Sequence, residues 1–309
     1  MNAQQHGLDA FWVLIPYFNP RRYAVKKRLY AEFIAQLDNH SPPINYITVE
    51  IAFCNRPHEV TQAGNPRHLQ LRSSSEIWLK ENALNIAASR LPESAQYIAW
   101  IDADIIFARK DWAIETVQLL QHYDVIQMFS HAIDMGPQYE TMKVHTGFMY
   151  NWIKHESTGK NYEAWHPGYA WACTRLAWNA MGGLMDWAIL GSADRHMAMA
   201  LIGRVDESMP SGVTTEYKML AGIWQTRVIR IHVNLGYMPG TINHIFHGKK
   251  VDRRYGDRWQ ILVRNKYNPV TDIRRDLNGV FILDELAHKL RDEIKEYFMG
   301  RNEDSIDAT

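Results

Sequence analysis

The chain has 309 residues, which is enough for one large core or for one domain with a substantial appendage. Lysine and arginine together number 34, as do aspartate and glutamate, so the formal net charge is zero. This balance argues against attraction of the whole chain to nucleic acid, although a local basic face stays open. Hydrophobic residues make up 46% and charged residues 22%, as in ordinary globular proteins.

The sequence also bears on the compartment in which the protein works. No run of about 18 apolar residues is present, so no membrane span is predicted. Residues 1–7 lack a basic segment followed by an apolar core, so no signal peptide is predicted either. The two cysteines, Cys54 and Cys173, are far apart and form no metal-binding spacing, which favours free thiols in a reducing cytosol. We therefore expect a cytoplasmic protein.

The first half of the chain alternates strand and helix patterns. Short apolar or alternating runs indicate strands, and apolar residues at helical spacing indicate helices between them. This alternation predicts an α/β fold with a mostly parallel central sheet flanked by helices. The predicted strands cover residues 11–15, 44–53, 97–101 and 124–129, and the predicted helices cover residues 21–37, 75–91 and 111–123.

The second half is less regular and has more glycines in turns and more aromatic residues. Residues 171–181 and 193–201 have helical patterns, and residues 280–283 read as a strand before a final helix that ends near residue 298. We expect one domain over residues 1–300, with a regular half at about 8–130 and an irregular half at about 131–300. The polar segment 301–309 is predicted to be a flexible tail.

The run from Ile98 to Phe107 is the most informative stretch. It reads as a buried strand that ends abruptly in Asp102 and Asp104. Two carboxylates beside apolar flanks are costly to bury unless a positive charge meets them. A hard divalent cation held by oxygen ligands, with phosphates completing its shell, is one solution. A strand end with two solvated aspartates is the other interpretation.

An Asp-x-Asp motif after a hydrophobic strand resembles the metal-dependent, family-2-like glycosyltransferases of the GT-A fold, which use nucleotide sugars. The resemblance implies a Rossmann-like half that binds the nucleotide sugar, followed by an acceptor-binding half. It also implies Mn²⁺ or Mg²⁺ as cofactor and a nucleoside-diphosphate sugar, with UDP-sugar preferred, as donor. Asp104 and Asp102 would hold the metal, with Asp102 also able to contact the donor's ribose or sugar.

Two segments match the donor side of this family. The loop after the first strand contacts the base and ribose there, which implies donor contacts for Pro16, Tyr17 and Asn19. The helix before the Asp-x-Asp strand carries a basic residue and an asparagine that face the nucleotide, which implies Lys80 and Asn85. The alternative interpretations are an ordinary proline-rich turn, a surface lysine and a helical asparagine.

A Gly-Gly turn followed by an acidic residue at a helix start resembles the family's acceptor region. In inverting members that acid takes a proton from the acceptor hydroxyl as it attacks the sugar. Asp194 fits best and Asp186 comes second, with Gly183 in the turn as an acceptor contact. The family often has Glu-Asp here, whereas this chain has Ala193 before Asp194. The alternative is that Asp194 only caps its helix.

A histidine late in the chain is the third metal ligand in many such enzymes. His244 and His247 are three residues apart, and His247, before a glycine and two lysines, is the better candidate. A neutral imidazole suits manganese, which accepts mixed nitrogen and oxygen ligands. Lys249 and Lys250 would face the diphosphate. More positive charge follows in the segment Arg253-Arg254-Tyr255-x-x-Arg258.

The acceptor is less constrained. The aromatic run 165–171 offers Trp165, His166, Tyr169 and Trp171 as acceptor contacts, with core packing as the alternative. A saccharide acceptor is favoured over hydroxymethylated pyrimidine in DNA, on which some phage glycosyltransferases act. A nucleotidyltransferase and a non-catalytic sugar-binding module are the further alternatives, although a nucleotidyltransferase normally has a glycine-rich loop where residues 16–22 have no glycine.

Overall fold

The computed structural model describes residues 7–155 and 165–306. Its strands fall into a central sheet, a smaller second sheet and a two-stranded ribbon. The strands are β1 (Phe11–Phe18), β2 (Asn45–Phe53), β3 (His68–Ser73), β4 (Tyr97–Ile101), β5 (Ile105–Phe107), β6 (Val125–Gln127), β7 (His131–Met135), β8 (Thr141–Gly147), β9 (Trp165–His166), β10 (Ala170–Thr174), β11 (Leu235–Tyr237), β12 (Thr241–His244), β13 (Ile273–Arg275) and β14 (Phe281–Leu283).

The central sheet has seven strands in the order β11-β6-β10-β4-β1-β2-β3. All neighbours run parallel except β10, which lies antiparallel between β4 and β6. One helix lies between β1 and β2 and another between β3 and β4, whereas residues 54–67 join β2 to β3 without a helix. The prediction of an α/β fold with a mostly parallel central sheet is confirmed.

Helices cover both faces of the central sheet. Successive residues of a strand point to opposite faces, and β1 follows this rule: Leu14 joins one hydrophobic cluster, whereas Val13 and Ile15 join the other. None of the described helices is long and apolar enough to cross a membrane. The helices are α1 (Ala24–Asp38), α2 (Lys80–Ala88), α3 (Trp112–Leu119), α4 (Phe148–His155), α5 (Arg175–Met181), α6 (Ala193–Leu201), α7 (Thr215–Arg230), α8 (Trp259–Arg264) and α9 (His288–Met299).

The second sheet brings distant parts of the chain to the end of β4. Its order is β5-β12-β7-β8-β9. The antiparallel pair of β12 and β5 sets His244 opposite Ile105, and the backbone N–H of Ile245 donates to the carbonyl of Asp104 over 2.8 Å. This register places the His244 segment directly beside the Asp-x-Asp loop, although the two are about 140 residues apart in sequence.

Two predicted boundaries differ from the structure. β1 continues through Pro16 to Phe18, because its pairing with β4 ends at Leu14 and leaves an edge where proline is tolerated. The predicted helix over residues 171–181 divides into β10 and α5. Thr174 caps α5 by accepting a hydrogen bond from the N–H of Ala177, so the helix begins only after the strand.

The segment from Arg301 is not a loose tail, contrary to the sequence prediction. Arg301 and Glu303 are 5% and 1% exposed, and the carboxylate of Asp304 accepts hydrogen bonds from the N–H groups of Ala24 and Val25 at the start of α1. Buried ion pairs and a helix cap order this polar segment, which hydrophobic patterning does not detect. The parts of the N-terminal and tail predictions that fall on residues 1–6 and 307–309 lie outside the described residues.

Candidate active site

A cavity of about 490 Å³ opens at the carboxyl ends of β1 and β4, where open α/β sheets bind ligands. Eight lysines and arginines line it, against four aspartates and glutamates. The cavity is therefore suited to an anionic ligand. The cations are Lys26, Lys80, Lys143, Arg195, Lys250, Arg253, Arg258 and Arg301, and the carboxylates are Glu81, Asp102, Asp104 and Asp194.

Three metal-ligating side chains meet in this cavity. One ligand atom from each of Asp104, His244 and His247 lies within 4.8 Å of the other two. The Nε2 atom of His247 is 2.9 Å from a carboxylate oxygen of Asp104 and 3.3 Å from the Nε2 atom of His244. One carboxylate and two imidazoles are a donor set that manganese accepts.

A buried carboxylate fixes the orientation of His244. The Nδ1 atom of His244 lies 2.9 Å from the carboxylate of Asp134, so Nδ1–H donates and the lone pair of Nε2 faces Asp104 and His247. Burial lowers the pKa of His244 to about 4, so the imidazole is neutral at pH 7. Asp134 also accepts hydrogen bonds from Tyr169, His145 and Lys250. His244 is thus held as a metal ligand would be.

Asp104 retains an unused ligand atom. Its Oδ1 is buried and has no hydrogen-bond partner among the described residues. Burial would raise the pKa of Asp104, but its contacts with His247, His244 and Arg253 hold it well below the usual value, so the group is ionised. The guanidinium of Arg253 lies 2.9 Å from Nε2 of His247 and requires the lone pair of that nitrogen. The atoms of Asp104, His244 and His247 that face one another are all lone-pair acceptors with no hydrogen between them. A divalent cation fits such a set.

Asp102, the first carboxylate of the motif, is not part of this cluster. It forms an ion pair with Lys80, the first residue of α2. Burial would lower the pKa of Lys80, but the charges of Asp102 and Glu81 outweigh this and raise it. The structure therefore separates the two aspartates: Asp104 faces the histidines and Asp102 faces a lysine.

Asp194 lies in the first turn of α6 and lines the cavity. Its Oδ1 accepts the N–H of Arg195 over 2.8 Å, and no described residue donates to its Oδ2. The backbone of Gly168 approaches this Oδ2 so closely that a Cβ atom there would lie 2.6 Å from it. The carboxylate of this cavity-lining residue thus has one oxygen fixed by a hydrogen bond and one that accepts none from the described residues, as a base requires.

Of the residues predicted for donor and acceptor binding, several line the cavity together. His166 stacks on Tyr169 with ring centroids 3.7 Å apart, and burial lowers its pKa well below the usual value. Because the N–H of Gly168 donates to Nδ1 of His166, the neutral ring carries its proton on Nε2. The cavity-lining residues of this predicted set are Pro16, Tyr17, Lys80, Asp102, Trp165, His166, Tyr169 and Lys250.

Asp186, the second candidate base, does not line the cavity. It is 8% exposed and pairs with Arg275 over 2.7 Å, and it accepts a hydrogen bond from Asn85. Asn85 in turn bonds both backbone groups of Leu184. Gly183 has a φ of +76°, and a Cβ there would lie 2.6 Å from Asn85. Asp186, Asn85 and Gly183 hold the turn after α5, so the structure does not support the predicted roles.

Three further predicted contacts also lie outside the cavity. Asn19 caps the turn before α1, because its side chain accepts the N–H of Tyr23 and donates to the carbonyl of the same residue. Trp171 is 4% exposed in β10, stacked against Trp100 in the core. Lys249 is not among the residues that line the cavity. Turn formation and packing, which were the alternative interpretations, account for Asn19 and Trp171.

Sequence reasoning missed several residues of the site. It weighed His244 but preferred His247 alone, and the spacing of the two histidines was the available signal. Glu81 is 5% exposed and lines the cavity, and burial raises its pKa to about 8. Asp134, Arg301 and Glu303 carried no local motif, since their positions depend on contacts between distant segments.

No protein-family model and no curated protein matches the chain. Solved structures with a similar fold include GalNAc-T7 with UDP, GalNAc and Mn²⁺ (12% identity, 94% of this chain and 56% of that chain, TM-score 0.46). Another is a mutant of Drosophila β-1,4-galactosyltransferase 7 with manganese, UDP-Gal and xylobiose (12% identity, 89% and 94%, TM-score 0.41). A third is residues 1–349 of TarS from S. aureus with UDP-GlcNAc (12% identity, 61% and 52%, TM-score 0.38). At these identities and TM-scores the likenesses assign no activity to this chain.

Proposed function

We propose that the protein is a metal-dependent glycosyltransferase that moves a sugar from a nucleoside-diphosphate sugar to an acceptor hydroxyl. The observation that carries this proposal is the meeting of Asp104, His244 and His247 at the end of β4, inside a cavity with twice as many cations as carboxylates. A divalent cation beside cationic walls is the arrangement that a diphosphate leaving group needs.

Asp104, His244 and His247 would hold the cation. When bound, Mn²⁺ or Mg²⁺ would neutralise negative charge that develops on the departing diphosphate. Nitrogen ligands favour Mn²⁺ over Mg²⁺, which prefers oxygen. Asp134 keeps the Nε2 lone pair of His244 directed at the other two ligands. Lys80, which pairs with Asp102, adds a fixed positive charge to the same wall of the cavity as Asp104.

Asp194 is the proposed general base. Its free Oδ2 would take the proton of the acceptor hydroxyl, and its fixed Oδ1 would hold the carboxylate in place. His166 and Tyr169 present a stacked aromatic surface in the same cavity. Such a surface suits the apolar face of a sugar ring, and we therefore propose a saccharide acceptor. UDP is the first donor nucleotide to test, as the sequence resemblance implies.

Calorimetric titration of UDP with and without Mn²⁺ tests the proposal. We expect UDP to bind tightly only with Mn²⁺, and we expect Asp104→Ala and His244→Ala each to abolish this metal dependence. Exposed residues outside the cavity provide matched controls, Asp206→Ala and His122→Ala, which should behave as wild type. UDP binding by the wild type that is as tight without Mn²⁺ as with it, or unchanged binding by Asp104→Ala, would contradict the proposed donor site.

A transfer assay must follow the binding measurements. Release of UDP from UDP-sugars in the presence of saccharide mixtures would identify the sugar and the acceptor class. Release of pyrophosphate from nucleoside triphosphates would instead indicate a nucleotidyltransferase. Salt-sensitive binding of duplex DNA would indicate the modified-DNA acceptor.

A further inference from the structure

Three arginines in the C-terminal part of the chain are buried in the cavity wall. Arg253, Arg258 and Arg301 are 7%, 6% and 5% exposed, and all three line the cavity. Arginine is almost never buried to this degree without an anionic partner. The groups that neutralise this arginine cluster, or fail to, decide what it can bind.

One hydroxyl group joins the three arginines. Nη1 of Arg258 and Nη1 of Arg301 donate to the Tyr297 hydroxyl over 3.3 and 3.0 Å, and that hydroxyl donates to the carbonyl of Arg253 over 3.2 Å. Burial would raise the pKa of Tyr297, but the charges of Arg301 and Arg258 outweigh it and lower the pKa. The guanidinium groups of Arg258 and Arg301 therefore meet at one point of the wall, beside the backbone of Arg253.

The cluster carries more positive charge than the surrounding protein neutralises. Arg301 pairs with Glu303, and the same carboxylate is 3.3 Å from the ammonium of Lys26. Among the described residues, no carboxylate lies within ion-pair distance of Arg253 or Arg258. The four cations of this part of the wall thus face two carboxylates, Glu303 and, through Arg253 and Lys26, Asp104. The remaining excess of positive charge suits a ligand with several negative charges.

The donors of the cluster are also incompletely used. The Nε atoms of Arg253 and Arg258 are buried and have no hydrogen-bond partner in the part of the chain that the structure describes. Tyr255 and Ser192 take up Nη groups of these two arginines, but both are neutral. Aromatic rings face Arg258 and Arg301 at 5.0 and 5.4 Å, which stabilises a cation without neutralising it. Guanidinium groups at a cavity wall whose donors are incompletely paired suit phosphate oxygens.

We infer that Arg253, Arg258 and Arg301 form a diphosphate-binding site that does not depend on the metal. This inference rests on the proposed function, since it places the diphosphate of the nucleotide at this wall. The site adjoins the metal ligands, because Arg253 also contacts His247. It requires the segment 301–304 to be docked, because that segment supplies Arg301 and its partner Glu303.

Titration of inorganic pyrophosphate into metal-free full-length protein tests this inference. We expect measurable binding by the wild type, and we expect Arg258→Gln and Arg301→Gln each to weaken it about tenfold or more. Arg258→Lys, which keeps the charge but loses the planar fork, should fall between wild type and Arg258→Gln. The matched control is Arg254→Gln, since Arg254 is exposed in the same segment and does not line the cavity.

Three outcomes would overturn the inference. One is equal pyrophosphate binding by wild type, Arg258→Gln and Arg301→Gln when circular dichroism shows all three folded. Another is equally tight binding of orthophosphate at the same ionic strength, which would indicate a general anion site. The third is pyrophosphate binding only after Mn²⁺ is added.

A parallel titration of Mn²⁺ alone separates this inference from the proposed function. Mn²⁺ binding that persists in Arg258→Gln, together with loss of pyrophosphate binding by the same variant, supports both the proposed metal site and the arginine site. Failure of the wild type to bind Mn²⁺, with arginine-dependent pyrophosphate binding intact, would contradict the proposed metal site and leave the arginine site standing.

Discussion

The cavity has two walls that the chain builds in different ways. The strand-end wall comes from β1, β4 and α2 and carries Lys80, Asp102 and Asp104 at element ends. The C-terminal wall comes from residues 244–303, and its charged groups lie mostly in loops and in the docked segment after α9. Regular packing positions the first wall, whereas ion pairs and hydrogen bonds position the second. The shape and charge of the cavity therefore depend on polar contacts between distant segments of the chain.

The largest expected effect is at Asp194, the proposed base, which lies on neither wall but in the first turn of α6. Asp194→Asn keeps the size of the side chain and removes its ability to take a proton. We expect turnover to fall by about 10²–10⁴ while UDP binding with Mn²⁺ is unchanged. Initial rates and calorimetry measure the two quantities, with Asp257→Asn, which is exposed, as control. Wild-type turnover would place the base elsewhere.

Glu303→Gln tests whether ion pairs hold the C-terminal wall. The charges of Lys26 and Arg301 hold the pKa of Glu303 well below its usual range despite burial. Neutralising it leaves both cations unpaired in the interior, so we expect a loss on the order of 4 kcal/mol in the free energy of unfolding. Denaturant unfolding measures this loss against Glu285→Gln, an exposed control. A loss as small as that of the control would mean that the wall does not depend on this pair.

Glu81→Gln tests the strand-end wall through pH. Burial raises the pKa of Glu81 from 4.5 to about 8, so between these values the folded protein binds more protons than the unfolded chain. Wild-type stability should therefore fall as pH rises from about 5 to 8. Glu81→Gln removes this loss. Its free energy of unfolding should therefore rise relative to wild type by on the order of 3 kcal/mol as the pH goes from 5 to 9.

Denaturant midpoints at several pH values, with exposed Glu93→Gln as control, measure this effect. A constant difference between Glu81→Gln and wild type across the range would show that Glu81 ionises as an ordinary carboxylate.

Asp134→Asn is expected to have the smallest effect. The amide can still accept a hydrogen bond from His244, but it lacks the charge that raises the basicity of the imidazole. We expect about tenfold weaker Mn²⁺ binding with the fold retained. Manganese electron paramagnetic resonance measures the affinity, and Asp206→Asn serves as the exposed control. Unchanged affinity would mean that packing alone orients His244.

The same contrast explains what could be predicted from the sequence. Strand and helix periodicity located β4 and α6 to the residue, because both are regular and buried on at least one face. The Asp-x-Asp motif pointed to Asp104, because a carboxylate at a buried strand end is a local signal. The sequence could not predict that Asp104 faces the histidines while Asp102 pairs with Lys80, since this depends on which distant side chain reaches each aspartate.

The sequence predicted only part of the C-terminal wall. The spacing of His244 and His247 was visible, but the pairing of β12 with β5 that aims both at Asp104 is a long-range contact. The polar segment 301–304 has the composition of a loose tail, and only the cations that meet Glu303 and the helix start that meets Asp304 order it. Composition reports average solvation and does not detect such specific partners.

The position of β10 has a consequence for dissecting the molecule. This strand, at residues 170–174, lies between β4 and β6 in the sheet. In a growing chain, β6 therefore cannot join β4's sheet until the chain extends about 45 residues beyond β6. A fragment that stops near residue 130 would leave β4 with a bare hydrophobic edge and would be prone to aggregate. The two halves follow one another in sequence, yet they are not separate folding units. The shortest fragment that keeps the strand-end wall intact would have to include β10.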